Sequence, residues 1–356
     1  MKVLHLVYSG MGGATNLVFS VVEGDKSKKL KQRILFSGPN FFKSNKSRSI
    51  KLKVKFNWIK TLKFFQYLSY FSILKNIFFF KPEVIILHNY LIIPCLIYKL
   101  IFKKTKIIYV NHKYIKGIDW RDLFILKFII FIDKIVVLNK ETQNSFKKNF
   151  NISSDKIKLI QNGININFFK EFKKTKKNYF KIGMACRVNK LKKYDLIMNS
   201  LLTKEIKDLN IQFSLAGTGE DLENFKERIE KNKVNHKIKL EGSMDEIKLK
   251  KWYNSLDLYV QASVGEGMSM SILEAMSMKV PVIGSNVTGI NSVVGKKIYL
   301  GKLFNNNVKD LSNKIKYFYF LKKKNKIKYI NTQYKYIKNN CNSENLFEKY
   351  FSTITK

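Results

Sequence analysis

Short β-branched apolar runs alternate with helix-length segments along almost the whole chain, and this limits the fold more than any other feature. Strands are expected at 2–8, 33–36, 84–88, 106–112, 134–139 and 156–160, with helices at 121–131 and 140–149 between them. Several runs, such as VIILH (84–88), are continuously apolar, as in parallel strands covered on both faces. Strands separated by helices make βαβ units. The charged stretch EFKKTKKNYF (171–180) has no apolar period and reads as a linker. The alternation then resumes, with strands expected at 180–186, 211–217, 237–242, 257–263, 280–285 and 297–301. Helices fit between them at 194–206, 221–232, 245–255 and 270–278. With about 150 residues per domain, 356 residues make two α/β halves. No internal sequence repeat is apparent. Open α/β sheets place ligands beyond the carboxyl ends of their strands, so two such halves facing each other make one cleft.

Composition sets further limits. The apolar share of 45% excludes a disordered chain. Cys95, Cys186 and Cys341 are odd in number and contain no CxxC pair, so neither a disulfide framework nor a zinc site is expected, and a reducing cytoplasm fits. The apolar run at the N-terminus is too short for a signal-peptide core. The most apolar window, 84–102, carries His88, Asn89, Pro94 and Lys99 and reads as a strand and a helix, not a membrane span. The net charge of +41 predicts attraction to polyanions or reflects a coding bias toward Lys, Asn, Ile and Phe. Residues 26–118 hold 21 Lys and Arg and one acid, Glu83. Within them, 58–80 is rich in Phe and Tyr, with a polar stripe of Lys60, Lys63, Gln66, Ser69, Ser72 and Asn76. That pattern fits a buried helix with one wet face or a surface for anionic membrane. No nucleic-acid-binding module is recognisable, and nucleic acid is not an expected partner.

The densest chemistry lies at GEGMSMSILEAMSMKVPVIGSNVTGINSVV (265–294). Glu266 falls in a loop and Glu274 in the helix that starts near 269–271. The unpaired N–H groups of that helix are a ready anion site. Two carboxylates flanking it can grip hydroxyls on either side of a phosphate. Upstream, Arg187 and Lys192 follow the first strand of the second half, where two fixed cations can neutralise a leaving diphosphate. Gly217 and Gly219 form a turn after the next strand. Gly10, Gly12 and Gly13 follow the first strand of the chain and allow close backbone approach by a ligand. His88 and His112 end strands on the ligand side, whereas His5 lies inside a strand and reads as structural, and His236 as surface.

These motifs resemble the retaining glycosyltransferases of the GT-B fold, of the group 1 or family 4 type with an E-x7-E signature. Glu266-Gly267-Met268-Ser269, Leu273-Glu274-Ala275-Met276, Pro281-Val282-Ile283 and Thr288-Gly289-Ile290 carry the resemblance, with Ser269 where the family has glycine. Arg187, Lys192 and Asp195 match the family's G-R-L-x-x-x-K-G-x-D, with Cys186 and Lys193 in place of its glycines. Val110-Asn111-His112 resembles a strand-end V-H-D, with Lys113 replacing the aspartate. Asn162-Gly163-Ile164-Asn165 resembles N-G-V-D, with Asn165 replacing the aspartate.

The resemblance implies two Rossmann-like domains facing across a cleft, an acceptor-side domain over 1–168 and a nucleotide-sugar domain over 169–325. A helical tail over 326–356 is expected to pack back on the first. Glu266, His112, Arg187 and Lys192 are the implied catalytic residues. Glu274, Gly12, Gly13, Gly217, Gly267, Met268, Ser269 and Met270 are the implied donor contacts. A retaining, metal-independent transfer is implied, from a UDP-sugar sooner than a GDP-sugar, to a glycan or lipid-linked acceptor at the inner face of the cytoplasmic membrane. No cofactor is expected, and no Asp-x-Asp metal clamp occurs in the chain. The alternative is a GT-B protein that has lost catalysis and binds polyanions or nucleic acid.

Overall fold

Neighbouring parallel strands need a crossover long enough to return the chain to the same sheet edge, and helices supply it here. The computed structural model describes residues 1–9, 12–40, 43–61, 66–173, 177–295 and 299–355. The chain divides into two units, Met1–Asn165 with Cys341–Lys356, and Ile166–Asn340.

The first unit runs β1 (Lys2–Tyr8), α1 (Gly13–Gly24), β2 (Lys31–Gly38), α2 (Lys43–Lys51), β3 (Lys55–Lys60), α3 (Tyr70–Phe80) and β4 (Val84–Leu87). It continues through α4 (Ile92–Ile101), β5 (Lys106–Asn111), α5 (Trp120–Leu126), β6 (Lys134–Val137), α6 (Lys140–Asn149) and β7 (Ile157–Leu159). The seven parallel strands lie in the order β3-β2-β1-β4-β5-β6-β7. Period-2 alternation sends Leu4, Leu6, Ile85, Leu87, Ile107 and Tyr109 to the face covered by α3, α4 and α5. Val3, Val84, Ile86, Ile108 and Val110 go to the other face. Local chemistry places the helix starts. Asn139 caps α6 by accepting the Thr142 N–H at 2.8 Å, and Asp119 with Asp122 forms a capping box on α5.

The second unit runs β8 (Phe180–Ala185), α7 (Tyr194–Leu201), β9 (Ile211–Ala216), α8 (Leu222–Lys231), β10 (Ile238–Gly242), α9 (Glu246–Asn254) and β11 (Leu258–Gln261). Then follow α10 (Met270–Ser277), β12 (Val282–Ser285), α11 (Asn291–Val294), β13 (Lys302–Phe304), α12 (Val308–Tyr319) and α13 (Lys323–Asn340). Its six parallel strands lie in the order β10-β9-β8-β11-β12-β13. Both orders reverse beside the first strand, between β1 and β4 and between β8 and β11. At such a reversal the loops leave in opposite directions and open a crevice.

Several expectations change. The helices expected over 121–131 and 194–206 end at Leu126 and Leu201. The strand expected at 297–301 lies at Lys302–Phe304, because Tyr299 (φ 65°) and Gly301 (φ 144°) turn the backbone before pairing with β12 begins; residues 297–298 lie outside the described ones. The block 58–80 is not one helix. An edge strand ends at Lys60 and α3 starts at Tyr70, so Lys60 shares no helix face with Ser72 and Asn76. Lys63 lies outside the described residues. The tail expected over 326–356 is divided. Helix α13 stays with the second unit, and α14 (Ser343–Thr355) packs on α1 in the first.

That last contact is close because α1 ends in glycine. A Cβ at Gly24 would overlap the Ser343 carbonyl and the Phe347 Cβ. Overpacking of this kind costs about 1–3 kcal/mol. Gly24→Val is expected to lower stability to urea by that amount, with the amides of α14 losing hydrogen-exchange protection before those of β1.

Candidate active site

In the second unit, the loop after β8 and the loop after β11 meet. The Val264 N–H donates to the Leu191 carbonyl at 3.0 Å, which joins 189–193 to 263–265. On this frame Lys192 Nζ and the Glu266 carboxylate form an ion pair, with both side chains mostly buried. The same Glu266 oxygen accepts Gln261 Nε2 at 3.1 Å. The Glu266 N–H donates to the Thr288 carbonyl at 3.0 Å, and Gly289 (φ 81°) passes so close that a Cβ would strike the Glu266 carbonyl. The Thr288-Gly289 turn thus clamps the Glu266 loop from below.

Gln261, the last residue of β11, organises the other side. Its carbonyl oxygen accepts Tyr259 OH at 2.7 Å and Ser271 Oγ at 3.1 Å, and its amide holds Glu266. A buried carboxamide left with an unmade bond costs about 1–3 kcal/mol, so these partners fix one orientation of Glu266. Helix α10 begins at Met270 with Ser269 at its N-cap position; Gly267, Met268, Ser269 and Met270 are buried around that start. Glu274 lies one turn further, 4% exposed, and accepts Tyr253 OH at 2.8 Å. Burial next to Glu274 pushes the Tyr253 phenol well above its ordinary pKa, so it stays a donor. Glu266 and Glu274 are therefore not solvated surface acids.

Arg187 does not join this cluster. It is exposed, and its Nε donates to Glu220 at 3.0 Å. Asp195 lies in the first turn of α7 and pairs with Arg228 at 3.2 Å. Gly217 has an internal reason to be glycine: φ is 133°, and a Cβ would run into the Cys186 carbonyl. The turn itself therefore requires glycine at 217.

In the first unit, Gly12 and Gly13 are exposed where β1 passes into α1. Gly12 has φ −90°, and nothing described lies within 4 Å of a Cβ built there. Neither backbone nor packing demands glycine at that position. Gly10 and Met11 lie outside the described residues. Lys113, which replaces the aspartate of the V-H-D pattern, is tied to Asp119 at 2.8 Å and Asp122 at 2.9 Å. Asn165 follows the isolated bridge between Ile164 and Asn342 that anchors α14.

Three of the four histidines form a row that spacing along the chain did not reveal. His112 Nε2 is 3.1 Å from His88 Nδ1, and His88 Nε2 is 3.5 Å from His5 Nδ1. His5 Nε2 meets Gln32 Oε1 at 2.9 Å, and Gln32 Nε2 donates to Asp25 at 3.1 Å. The signal was strand alternation. Val3, Ile86 and Val110 share a face, and positions 5, 88 and 112 follow them on it. Desolvation holds His5 and His112 at about pKa 4, and His88 well below the usual imidazole value. Among the described residues, no group of three or more His, Cys, Asp or Glu is arranged to hold a metal ion.

Residues 11–168 match the model for Glycosyltransferase Family 4, and residues 179–319 match the model for Glycosyl transferases group 1. The structure of HepE from Anabaena, in complex with UDP and glucose, is similar with a TM-score of 0.83 at 15% identity, over 100% of each chain. Protein CapJ of Staphylococcus aureus is 35% identical over 94 residues, 26% of this chain and 24% of CapJ. The GtfA subunit of the UDP-N-acetylglucosamine–peptide N-acetylglucosaminyltransferase of Streptococcus agalactiae is 27% identical over 108 residues, 30% of this chain and 21% of that protein. The matches span under a quarter of these curated relatives. Two Rossmann-like domains of this topology define the GT-B fold. The chain belongs to the glycosyltransferases of group 1 and family 4.

The neutral histidine row makes a pH prediction. A histidine with depressed folded pKa binds fewer protons folded than unfolded between about pH 4 and 6.5. Its stabilisation is complete above 6.5 and declines as pH falls toward 4. For His5 the difference is roughly 3 kcal/mol. Urea titrations from pH 7 to 4.5 are expected to show a steep loss in the natural protein and a shallower one, by about 2–3 kcal/mol, in His5→Asn.

Proposed function

We propose that this glycosyltransferase moves a hexosyl or N-acetylhexosaminyl group from a UDP-sugar to a glycan or lipid-linked acceptor, with retention and without a metal, in bacterial surface polysaccharide or glycoconjugate synthesis. The observation that carries the reading is the Lys192–Glu266–Gln261 cluster ahead of α10, at the strand-order reversal between β8 and β11. HepE with UDP and glucose, and the UDP-N-acetylglucosamine specificity in the name of GtfA, support the donor class.

In this reading the diphosphate lies at the start of α10, against Gly267, Met268, Ser269 and Met270. Glu274 binds the ribose and Glu266 the donor sugar. Lys192 turns its ammonium from Glu266 toward the phosphate, where it meets charge that grows as the nucleotide leaves. Arg187 assists once it releases Glu220. An oxocarbenium-like centre on the sugar is then faced by the Glu266 carboxylate. In the first unit His112 contacts the transferred sugar, and Gly12 with Gly13 admits the ligand backbone-close, which gives a reason for glycine at position 12, where the fold itself has none.

Nucleotide release from a panel of nucleotide sugars, assayed in EDTA, tests the reaction class. Activity abolished by EDTA and restored by Mg2+ or Mn2+ contradicts metal independence. Glu274→Ala is expected to weaken UDP binding about tenfold or more, and Glu266→Ala to lower kcat about 100-fold with UDP affinity retained. Unchanged turnover in both variants overturns the assignment.

A membrane-surface location is part of the proposal. Among the described residues, no helix is long and apolar enough to cross a membrane. Helices α3, α4 and α5 cover one sheet face, and outward from them Phe71, Phe79, Leu100, Ile101 and Trp120 are exposed. Lys75, Lys103, Lys104 and Lys127 stand among them. Apolar rings with interleaved lysines suit an anionic interface, at about 1 kcal/mol per engaged cation. Co-sedimentation with anionic vesicles is expected at low salt, reduced at high salt and in Lys103→Glu/Lys104→Glu, with a residue of binding lost in Trp120→Ser. Indifference to anionic vesicles at low salt removes the membrane from the reading and favours a soluble acceptor.

A further inference from the structure

The row of imidazoles in the first unit has a direction, and its direction is set at the end away from His112. Asp25 is 8% exposed, and its two oxygens accept the N–H groups of Lys29 at 2.8 Å and Leu30 at 3.1 Å. A carboxylate so placed only accepts. Gln32 therefore turns its NH2 to Asp25, at 3.1 Å, and its carbonyl oxygen to His5, at 2.9 Å. The reverse orientation sets carbonyl against carboxylate. A carbonyl facing His5 Nε2 needs a proton there.

A neutral imidazole carries one N–H, so each ring passes the constraint on. His5, protonated on Nε2, offers bare Nδ1 to His88 Nε2 across 3.5 Å. His88, protonated on Nε2, offers bare Nδ1 to His112 Nε2 across 3.1 Å. His112 is then protonated on Nε2. The constraint requires all three rings to be neutral, and burial supplies that. His5 is fully buried, His88 nearly so, and both resist a charge that no acid in direct contact balances among the described residues.

We propose that Asp25, Gln32, His5 and His88 are positioning residues for sugar transfer, a relay that fixes His112 in the tautomer with its proton on Nε2 and Nδ1 bare. The proposal rests on the reading that His112 contacts the transferred sugar. A bare Nδ1 is an acceptor for a sugar hydroxyl. A neutral ring also adds no positive charge beside an oxocarbenium-like centre. None of the four positioning residues needs to touch the sugar for this.

The test reads tautomers directly. The chain has four histidines, and His236 is exposed outside the row, so it serves as an internal control. Long-range 1H–15N imidazole spectra of the full chain at pH 7 are expected to show His5, His88 and His112 each as a single Nε2–H tautomer. Gln32→Lys replaces an acceptor by a donor, with Asp25 as counter-ion. It is expected to reverse the row, moving the proton of His112 to Nδ1 although the substituted position is two rings away. Gln32→Leu removes the acceptor without adding charge and is expected to give mixed tautomers at all three rings. Both variants are expected to lower kcat/KM for the donor about tenfold, the worth of one hydrogen bond, and to leave UDP affinity unchanged. A His112 that stays Nε2–H in both folded variants overturns the relay. Reversal without a change in kcat/KM overturns its role in transfer. His112→Ala then separates the two readings: if it too leaves turnover unchanged, the sugar contact itself has failed, and if it lowers turnover, only the relay's part has.

Discussion

The reversal of strand order beside β8 is the constraint from which the candidate site follows. Because β8 and β11 are neighbours at the reversal, the loops that follow them lie side by side at the carboxyl ends, where the Val264 N–H bonds the Leu191 carbonyl. Lys192 comes from one loop and Glu266 from the other. Helix α10 starts directly after the second loop, so its unpaired N–H groups lie at the same end of the sheet. No single residue creates this arrangement. It comes from a crossover rule that any parallel sheet obeys, with chemistry placed on the loops that the rule leaves open.

Buried polar groups then turn approximate placement into fixed orientation. In the second unit the Gln261 carboxamide accepts from Tyr259 and Ser271 and donates to Glu266, and the Thr288-Gly289 turn holds the loop backbone. In the first unit the Asp25–Gln32 pair does the same for a row of imidazoles. The physical principle is shared. An amide side chain has distinct donor and acceptor ends, so pinning one end dictates the other. Inside a protein an unmade bond is costly enough that the wrong orientation is rarely occupied.

The fold was legible in the sequence to the extent that it was written in periodicity. The runs at 84–88, 106–112 and 134–139 are strands because continuous β-branched segments fit a sheet covered on both faces, and β4, β5 and β6 lie there. The runs at 58–80 and 297–301 misled for identifiable reasons. At an edge strand only one side is paired and one face is partly wet, so 55–60 alternates weakly and merges with the apolar helix behind it. At 299–301 two left-handed residues delay the strand, and left-handed backbone at a tyrosine leaves no mark in composition. The division of the tail was not legible because α14 seats on α1 at Gly24 and on the loop after β7 at Gly163, close approaches that only a structure shows.

What the sequence by itself determined was the two α/β halves, the order of their elements, and the residue types that stand at the strand ends: Glu266, Glu274, Lys192, Arg187 and His112. These follow from local rules, in which spacing and side-chain chemistry along a few dozen residues suffice. Tertiary structure alone decided which of them meet. Lys192 and Glu266 are joined across 74 residues, whereas Arg187, five residues from Lys192, pairs with Glu220. Gln261 reads as one polar residue in a buried strand until Tyr259, Glu266, Ser269 and Ser271 surround its carboxamide. His5, His88 and His112 are separated by 83 and 24 residues and become neighbours only through the registers of β1, β4 and β5. Periodicity tells which face a side chain takes; register tells what stands beside it, and register is set by the packing of the whole sheet.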